Sequence, residues 1–216
     1  MRYSREHKQE THARIVRKAS VRLREKGAHG IGVADLMKEA GLTHGGFYAH
    51  FDSRDALVIE AFVYAMDRSL EHWRKLAEET SPEKRLVTII ETYLSPTHRD
   101  DPGHGCAITS LGAEIARESP KTRRAFAAKM DQLIELIADQ IQDMPPKAAR
   151  KQATSLLATM MGTLVLSRIA GSGEFADEVL QAGKEAALAR AAALKPATVK
   201  PPAKKARAKV NGIARA

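Results

Sequence analysis

The chain has 216 residues, 44% of them hydrophobic and 28% charged, which is the balance of a globular protein able to bury its own apolar core. Its single cysteine, Cys106, has no partner within the chain, so a disulfide-stabilised scaffold is excluded and a reducing compartment is favoured. The formal net charge of +9 is concentrated at the two ends, because residues 1–54 hold 11 Lys+Arg against 6 Asp+Glu and residues 195–216 hold 7 against none. Basic ends favour a polyanion such as nucleic acid as partner, although a basic stretch is often only a solvated face.

No segment predicts export or membrane insertion. The N-terminal residues are highly charged and contain no apolar run, so a secretory leader is not expected. The longest uncharged stretch, 152–167, is too short and carries too many hydroxyl groups to span a bilayer. We therefore expect a cytoplasmic protein, associated with the nucleoid if it binds DNA.

Apolar residues recur at helical spacing along the chain and no alternating run predicts a strand, so the expected fold is all-α. Three short helices come first, at about 9–26, 33–40 and 43–51. Gly27 and Gly41 are expected to end the first two helices, and the Thr43 hydroxyl is expected to cap the third. Phe47 and Phe51 are expected to dock the third helix onto the first two.

Six further helices bring the predicted total to about nine. They are expected at about 54–79, 86–94, 106–117, 121–142, 147–170 and 174–194. The segment 95–105, rich in Pro, Asp, His and Gly, is predicted to be a surface loop. The short Gly-Ser-Gly connection at 171–173 predicts that the last two helices form an antiparallel pair. The tail 195–216, biased to Lys, Pro and Ala, is predicted to be disordered; it either adds DNA affinity or only aids solubility.

Two short helices joined by a glycine turn are typical of a helix-turn-helix. The segment 40–57, AGLTHGGFYAHFDSRDAL, closely resembles the recognition-helix signature of TetR-family transcriptional regulators. The resemblance implies a DNA-binding domain at 1–53 and a helical effector-binding and dimerisation domain at 54–194. It also implies that a homodimer binds double-stranded DNA at a roughly palindromic operator. Gly32 departs from the family pattern, because it stands where a hydroxyl residue usually caps the second helix.

The resemblance also implies which residues contact DNA. His44, Gly45 and Gly46 lie in the first turn of the recognition helix, the part that approaches base edges. The cap residue Thr43 and the polar side chains of Tyr48 and His50 reach backbone phosphates. Arg54 stands where a Lys is more usual in the family. The predicted DNA-binding residues are Thr43, His44, Gly45, Gly46, Tyr48, His50 and Arg54.

An effector cavity among the middle helices is likewise implied by the resemblance. The candidates to line it, each of which is otherwise plain core, are Trp73, Tyr93, Cys106, Ser110, Met160 and Met161. Cys106 opens a helix, where a thiol is more nucleophilic, and 105–114 resembles the stretch of TetR-type repressors that carries an electrophile-sensing cysteine. The alternative is a buried structural cysteine. His98, His104 and Cys106 are too few well-spaced ligands for zinc, so neither metal nor cofactor is expected.

Three functions follow as hypotheses. The first is a ligand-responsive dimeric repressor that releases its operator on binding a small molecule or on modification of Cys106. The second is a sequence-independent DNA-compacting protein that uses the tail, and the third is a thiol enzyme. No catalytic triad or phosphate-binding loop is found, so an enzyme is not favoured. The residues expected to pair the last two helices with a second copy are Leu156, Leu157, Met160, Leu164, Phe175, Val179 and Ala182.

Overall fold

The computed structural model describes residues 5–194, so the predicted disordered tail lies outside the described residues. Over 5–194 the chain forms nine α-helices and one 3₁₀ helix and no strand, which confirms the all-α prediction. The 3₁₀ helix is His44–Ala49, and the α-helices are α1 Arg5–Lys26, α2 Val33–Glu39, α3 Arg54–Glu79, α4 Arg85–Tyr93, α5 Pro96–Asp100, α6 Ala107–Ile115, α7 Pro120–Ala138, α8 Pro146–Ala170 and α9 Glu174–Ala193.

The N-terminal head consists of α1, α2 and the 3₁₀ helix, closed by the first turns of α3. Its core is made by Ile15, Leu36, Phe47 and Phe51, all buried, as the periodicity predicts. Helix α1 already includes Arg5, the first described residue and four residues before the predicted start, because no Gly or Pro interrupts this polar segment. Gly27 and Gly41 end α1 and α2 as predicted, at φ of +84° and +73°, which only glycine adopts readily.

The predicted third helix differs from expectation in type and in its cap. It is a 3₁₀ helix, and the Thr43 side chain makes no capping hydrogen bond. Instead the Gly46 amide donates to the Thr43 backbone carbonyl at 3.1 Å. The pair Gly45-Gly46 lowers helix propensity by about 1 kcal/mol for each residue, so docking of Phe47 sets the geometry rather than an intrinsic preference for an α-helix.

The body consists of α4–α9 packed around the rest of α3. Phe62 of α3 stacks on Phe126 of α7 at its centre. The predicted antiparallel pair of α8 and α9 is present, turned by Gly171 at φ +83° and Gly173 at φ +103°. A Cβ on Gly183 of α9 would overlap the Thr163 side chain of α8, so the two helices approach as closely as glycine allows.

The segment 95–105 is more ordered than a surface loop. Ser95 caps α5 by accepting from the His98 amide at 3.2 Å, and Pro96 occupies the first helical turn. Arg99 is 7% exposed and pairs with Asp100 at 2.7 Å and with Asp177 of α9 at 2.6 Å. The prediction missed this helix because its start signal lies inside a segment rich in turn residues.

Helix α8 is long and apolar enough to cross a membrane, judged by length and composition alone. The prediction considered only the uncharged stretch 152–167, whereas the helix Pro146–Ala170 extends beyond it at both ends. One face of α8, with Leu156, Met160 and Leu164, is fully buried against neighbouring helices. We therefore interpret α8 as a core helix.

Candidate DNA interface and effector cavity

The exposed side of the 3₁₀ helix carries four of the seven predicted DNA-binding residues. Thr43, His44, Gly45 and Tyr48 are all exposed, with Tyr48 at 69%. The rings of His44 and Tyr48 meet edge to face with centroids 6.4 Å apart, while Phe47 on the opposite side is buried. This places two polar side-chain tips and a bare backbone turn on one surface, the composition expected of a groove-reading element.

The two glycines of this turn differ in their surroundings. A Cβ at Gly45 would meet nothing within 4 Å, so this backbone is open to an approaching partner. A Cβ at Gly46 would lie 3.7 Å from the Met37 side chain of α2. Gly46 therefore faces its own domain, and Gly45 is the residue at which the backbone itself can come close to DNA.

His50 and Arg54 are turned away from this surface. His50 is half-buried beside the rings of His12 and Phe51, and burial lowers its pKa, helped by His12 and Lys8. Arg54 donates to the Ala28 backbone carbonyl, so its guanidinium braces the loop between α1 and α2. A phosphate contact of Arg54 would have to replace or share this hydrogen bond to Ala28, so that contact stays a prediction.

A cavity of about 700 Å³ lies where the head meets the body. It is bounded by α1, α3, the C-terminal end of α4, α5 and the loop that precedes α6. Of the predicted effector residues, Trp73 and Cys106 line it. The other four do not: Tyr93 and Met160 are buried core, Met161 is partly buried against the core, and Ser110 accepts a hydrogen bond from Arg168 at 3.3 Å.

Sequence reasoning missed the contribution of α1 to this cavity. Arg17, Ser20, Val21 and Arg24 form part of its lining. The sequence contained an indication of this contribution. Ser20 and Arg24 follow the buried Val16 at intervals of four residues, so they bring polar groups to the edge of the buried face of α1. The predicted domain boundaries placed the whole first helix in the DNA-binding domain.

His98 and Tyr93 hold the loop at one wall of the cavity. The His98 Nδ1 lies 2.7 Å from the Tyr93 carbonyl and donates to it, while its Nε2 accepts from the Cys106 amide at 2.9 Å. This pattern requires the neutral imidazole, and burial lowers the pKa of His98 accordingly. Burial also raises the pKa of Tyr93, whose hydroxyl is enclosed without a hydrogen-bond partner among the described residues.

Cys106 is the N-cap residue of α6, without a capping hydrogen bond from its side chain, and it borders the cavity. Its side chain is only 3% exposed. A reagent must therefore enter the cavity to reach the thiol. Among residues 5–194 no group of three or more His, Cys, Asp and Glu side chains is placed to hold a metal ion.

Helix α6 contacts the head at both of its ends. At its N-terminal end the Gly105 carbonyl accepts from Arg24 of α1 at 3.0 Å. At its C-terminal end Glu114 accepts from the His29 amide at 3.2 Å, and Glu118 lies 2.8 Å from the His29 ring. The wall of the cavity and the loop between α1 and α2 are thus connected through one helix.

The outer face of α8 and α9 is apolar and exposed. Leu166, Ile169 and Phe175 are 59%, 75% and 65% exposed, and Ala182 is also exposed while Val179 is half-buried. Four of the residues predicted for a dimer interface lie instead in the chain's own core, because they occupy the opposite face of α8: Leu156, Leu157, Met160 and Leu164.

Comparison with protein families agrees with this architecture. Residues 15–61 match the model of bacterial regulatory proteins of the tetR family. Residues 82–193, about half of the chain, match the C-terminal domain of LmrA/YxaF-like transcriptional regulators. An uncharacterized HTH-type transcriptional regulator of Mycobacterium tuberculosis, Rv0196, is 28% identical over 165 residues, which cover 72% of this chain and 83% of the relative.

Solved structures share the fold. A TetR transcriptional regulator from Chloroflexus aurantiacus superposes with a TM-score of 0.71 at 25% identity, over 85% of this chain and 95% of that one. Reduced E. coli NemR gives 0.68 at 20% identity, over 82% and 96%. Bacillus subtilis FadR in complex with stearoyl-CoA gives 0.63 at 16% identity, over 82% and 98%.

Proposed function

Because the chain belongs to the TetR family of bacterial transcriptional regulators, we propose that it is a repressor that binds a palindromic operator as a homodimer and releases it on binding a small molecule. In this proposal residues 1–53 bind DNA and 54–194 bind the effector and dimerise. Such a protein works in the cytoplasm, on the nucleoid.

The observation that carries the proposal is the exposed turn at 43–48. Two such turns in a two-fold dimer would enter successive major grooves, about 34 Å apart, and this spacing is why the operator would be palindromic. Thr43 and Tyr48 would bind phosphates, and His44 with the Gly45 backbone would face the bases. His50, Gly46 and Arg54 would support the turn from inside the domain.

Selection of genomic fragments by the full chain, followed by sequencing, tests this proposal. One short palindrome should be enriched. Replacing Tyr48 by Phe removes one hydrogen bond to a charged group and should weaken operator binding by roughly 1.5–3 kcal/mol, measured by fluorescence anisotropy. Met130→Ala, a change at an exposed apolar residue of α7 outside the head, serves as the control and should leave the affinity unchanged. Recovery of fragments without a common sequence would contradict the proposal.

The same experiment separates this role from DNA compaction by residues 195–216. A chain truncated after Leu194 should keep its preference for the palindrome and lose only salt-sensitive affinity for any DNA. Loss of the preference itself would favour compaction.

Modification of Cys106 is a second route of release that the cavity supports, since this thiol borders the space that an effector would occupy. N-ethylmaleimide should then reduce operator affinity in proportion to the thiol consumed, and Cys106→Ser should abolish the response. Sustained turnover of a peroxide with an added thiol reductant, lost in Cys106→Ser, would favour a thiol enzyme instead.

A further inference from the structure

Arg24 is a half-buried charged group whose hydrogen-bond acceptors are both neutral. Its Nε donates to the Ser20 carbonyl at 2.8 Å and its Nη1 donates to the Gly105 carbonyl at 3.0 Å. Among residues 5–194 no carboxylate forms an ion pair with it, and burial lowers the pKa of Arg24. Asp101 and Glu25 act on Arg24 only from beyond ion-pair distance. A half-buried guanidinium without a direct counterion favours the arrival of an anion.

The rest of the lining strengthens this preference. Arg17 lies two turns before Arg24 on the same side of α1, and its side chain has no hydrogen bond or ion pair within the described part of the chain. Arg68 of α3 also lines the cavity, but its guanidinium is paired with Glu71 at 2.7 Å. The single acidic residue of the lining, Asp101, is already engaged by the His104 amide at 3.2 Å and by the His104 ring at 3.0 Å.

Part of the remaining wall is apolar and includes an aromatic ring. Trp73 is 6% exposed and its indole nitrogen donates to Ser69 at 3.1 Å, which fixes the ring. Val21, Tyr64 and Ala65 continue this wall. The volume of about 700 Å³ falls within the roughly 300–1,000 Å³ typical of sites for small organic ligands.

We propose that this cavity binds a small organic acid with a planar apolar body, that Arg24 pairs with its carboxylate, and that this pairing withdraws Arg24 from the Gly105 carbonyl. The regulatory meaning of this site rests on the proposed function, but the binding itself does not. An anion competes well for the guanidinium because a charge-assisted bidentate pair is stronger than hydrogen bonds to neutral carbonyls.

Withdrawal of Arg24 would act on the head. Arg24 belongs to α1, and its hydrogen bond to Gly105 joins the head to the N-terminal end of α6. Once Arg24 has moved away from Gly105, His29 would still bind Glu114 and Glu118 at the other end of α6. The head would then be joined to α6 only at its C-terminal end, so it could shift relative to α6, and such a shift would change the spacing of two heads in a dimer.

Calorimetric titration of the full chain, without DNA, tests the binding step. Benzoate, 2-naphthoate and indole-3-acetate are each compared with the corresponding neutral amide, which has nearly the same shape. At least one acid should bind about tenfold or more tightly than its amide, and Arg24→Gln should remove that difference. Arg74→Gln, at an arginine of α3 that does not line this cavity, should retain it. The proposal is overturned if no acid exceeds its amide, or if Arg24→Gln binds as the wild type does.

A second readout covers the case in which Arg24→Gln does not fold. Because Cys106 borders the same cavity, the acid that binds should slow alkylation of Cys106 by iodoacetamide in the wild type, and its amide should not. Equal protection by both would overturn the proposal. If the acid binds but no DNA sequence is recognised, the proposed function fails while the anion site stands. If the operator is bound but the acid is not, the anion site fails while the repressor function stands.

Discussion

Replacing Phe175 by Ala is expected to dissociate the proposed dimer. Phe175 lies in the first turn of α9, and together with Leu166 and Ile169 of α8 it forms an exposed apolar patch beside the turn that joins the two helices. A single protomer gives these side chains no cover. A second copy related by a two-fold axis would cover them with the same patch.

The expected effect follows from the exposed fraction. Burying a whole large apolar side chain stabilises by roughly 1.5–3 kcal/mol, so the 65% of Phe175 that is exposed contributes about 1–2 kcal/mol when covered. A two-fold interface contains the residue twice, which gives about 2–4 kcal/mol. The dimer dissociation constant should therefore rise about 30-fold to 1,000-fold.

Sedimentation velocity over a range of protein concentration measures this change. The matched control is Tyr48→Ala, which removes an aromatic side chain of nearly equal exposure, 69%, from the head. It should leave the dimer intact and abolish operator binding, whereas Phe175→Ala should lose both. A Phe175→Ala protein that stays dimeric at wild-type concentrations would refute the assignment of this patch.

Two further predictions concern the stability of the body. Gly183→Ala places a methyl group against the Thr163 side chain, and this overlap should lower the free energy of unfolding of the protein by about 1–3 kcal/mol in urea. The loss should outweigh the gain of about 1 kcal/mol in helix propensity. A more stable variant would contradict the close approach of α8 and α9. His98, whose pKa is lowered by burial, takes up a proton more readily when unfolded, so stability should be full above pH 6.5 and fall as the pH drops below it. In His98→Gln the fall should be shallower, and His44→Gln, at an exposed histidine of the 3₁₀ helix, serves as the control. An unchanged slope in His98→Gln would refute the buried neutral imidazole assigned to His98.

Helix bounds could be predicted wherever the sequence contains a chemical stop or start. The predicted long helix, 54–79, matches α3 at both ends because Ser53 caps its start and Ser81-Pro82 follows its end. The short elements were less predictable. Over six residues the apolar spacing of a 3₁₀ helix is hardly distinguishable from that of an α-helix, and the difference at 44–49 depends on how Phe47 docks.

The apolar face of a helix could be predicted, but the partner of that face could not. Helix α8 is apolar on two sides, and the periodicity does not tell which side meets the chain's own core. The structure places Leu164 inside and Leu166 outside, so the predicted interface was wrong for the residues of α8, whereas Phe175 of α9 is exposed and stays a prediction. Only packing between distant segments decides such cases.

The cavity shows the same limit, and it also offers a physical route by which the proposed effector would act on the head. Arg24 reaches Gly105 across 81 positions of sequence, and no local pattern encodes that hydrogen bond. Its physical consequence is nevertheless simple. Helix α6 has nine residues, a length of about 14 Å at 1.5 Å per residue, and it is too short to bend appreciably between its two contacts with the head. A displacement of the Gly105 end of α6 must therefore be accompanied by a displacement at the His29 contact or by a movement of α1. Either response moves the helix-turn-helix relative to the face of α8 and α9 that would fix the second copy.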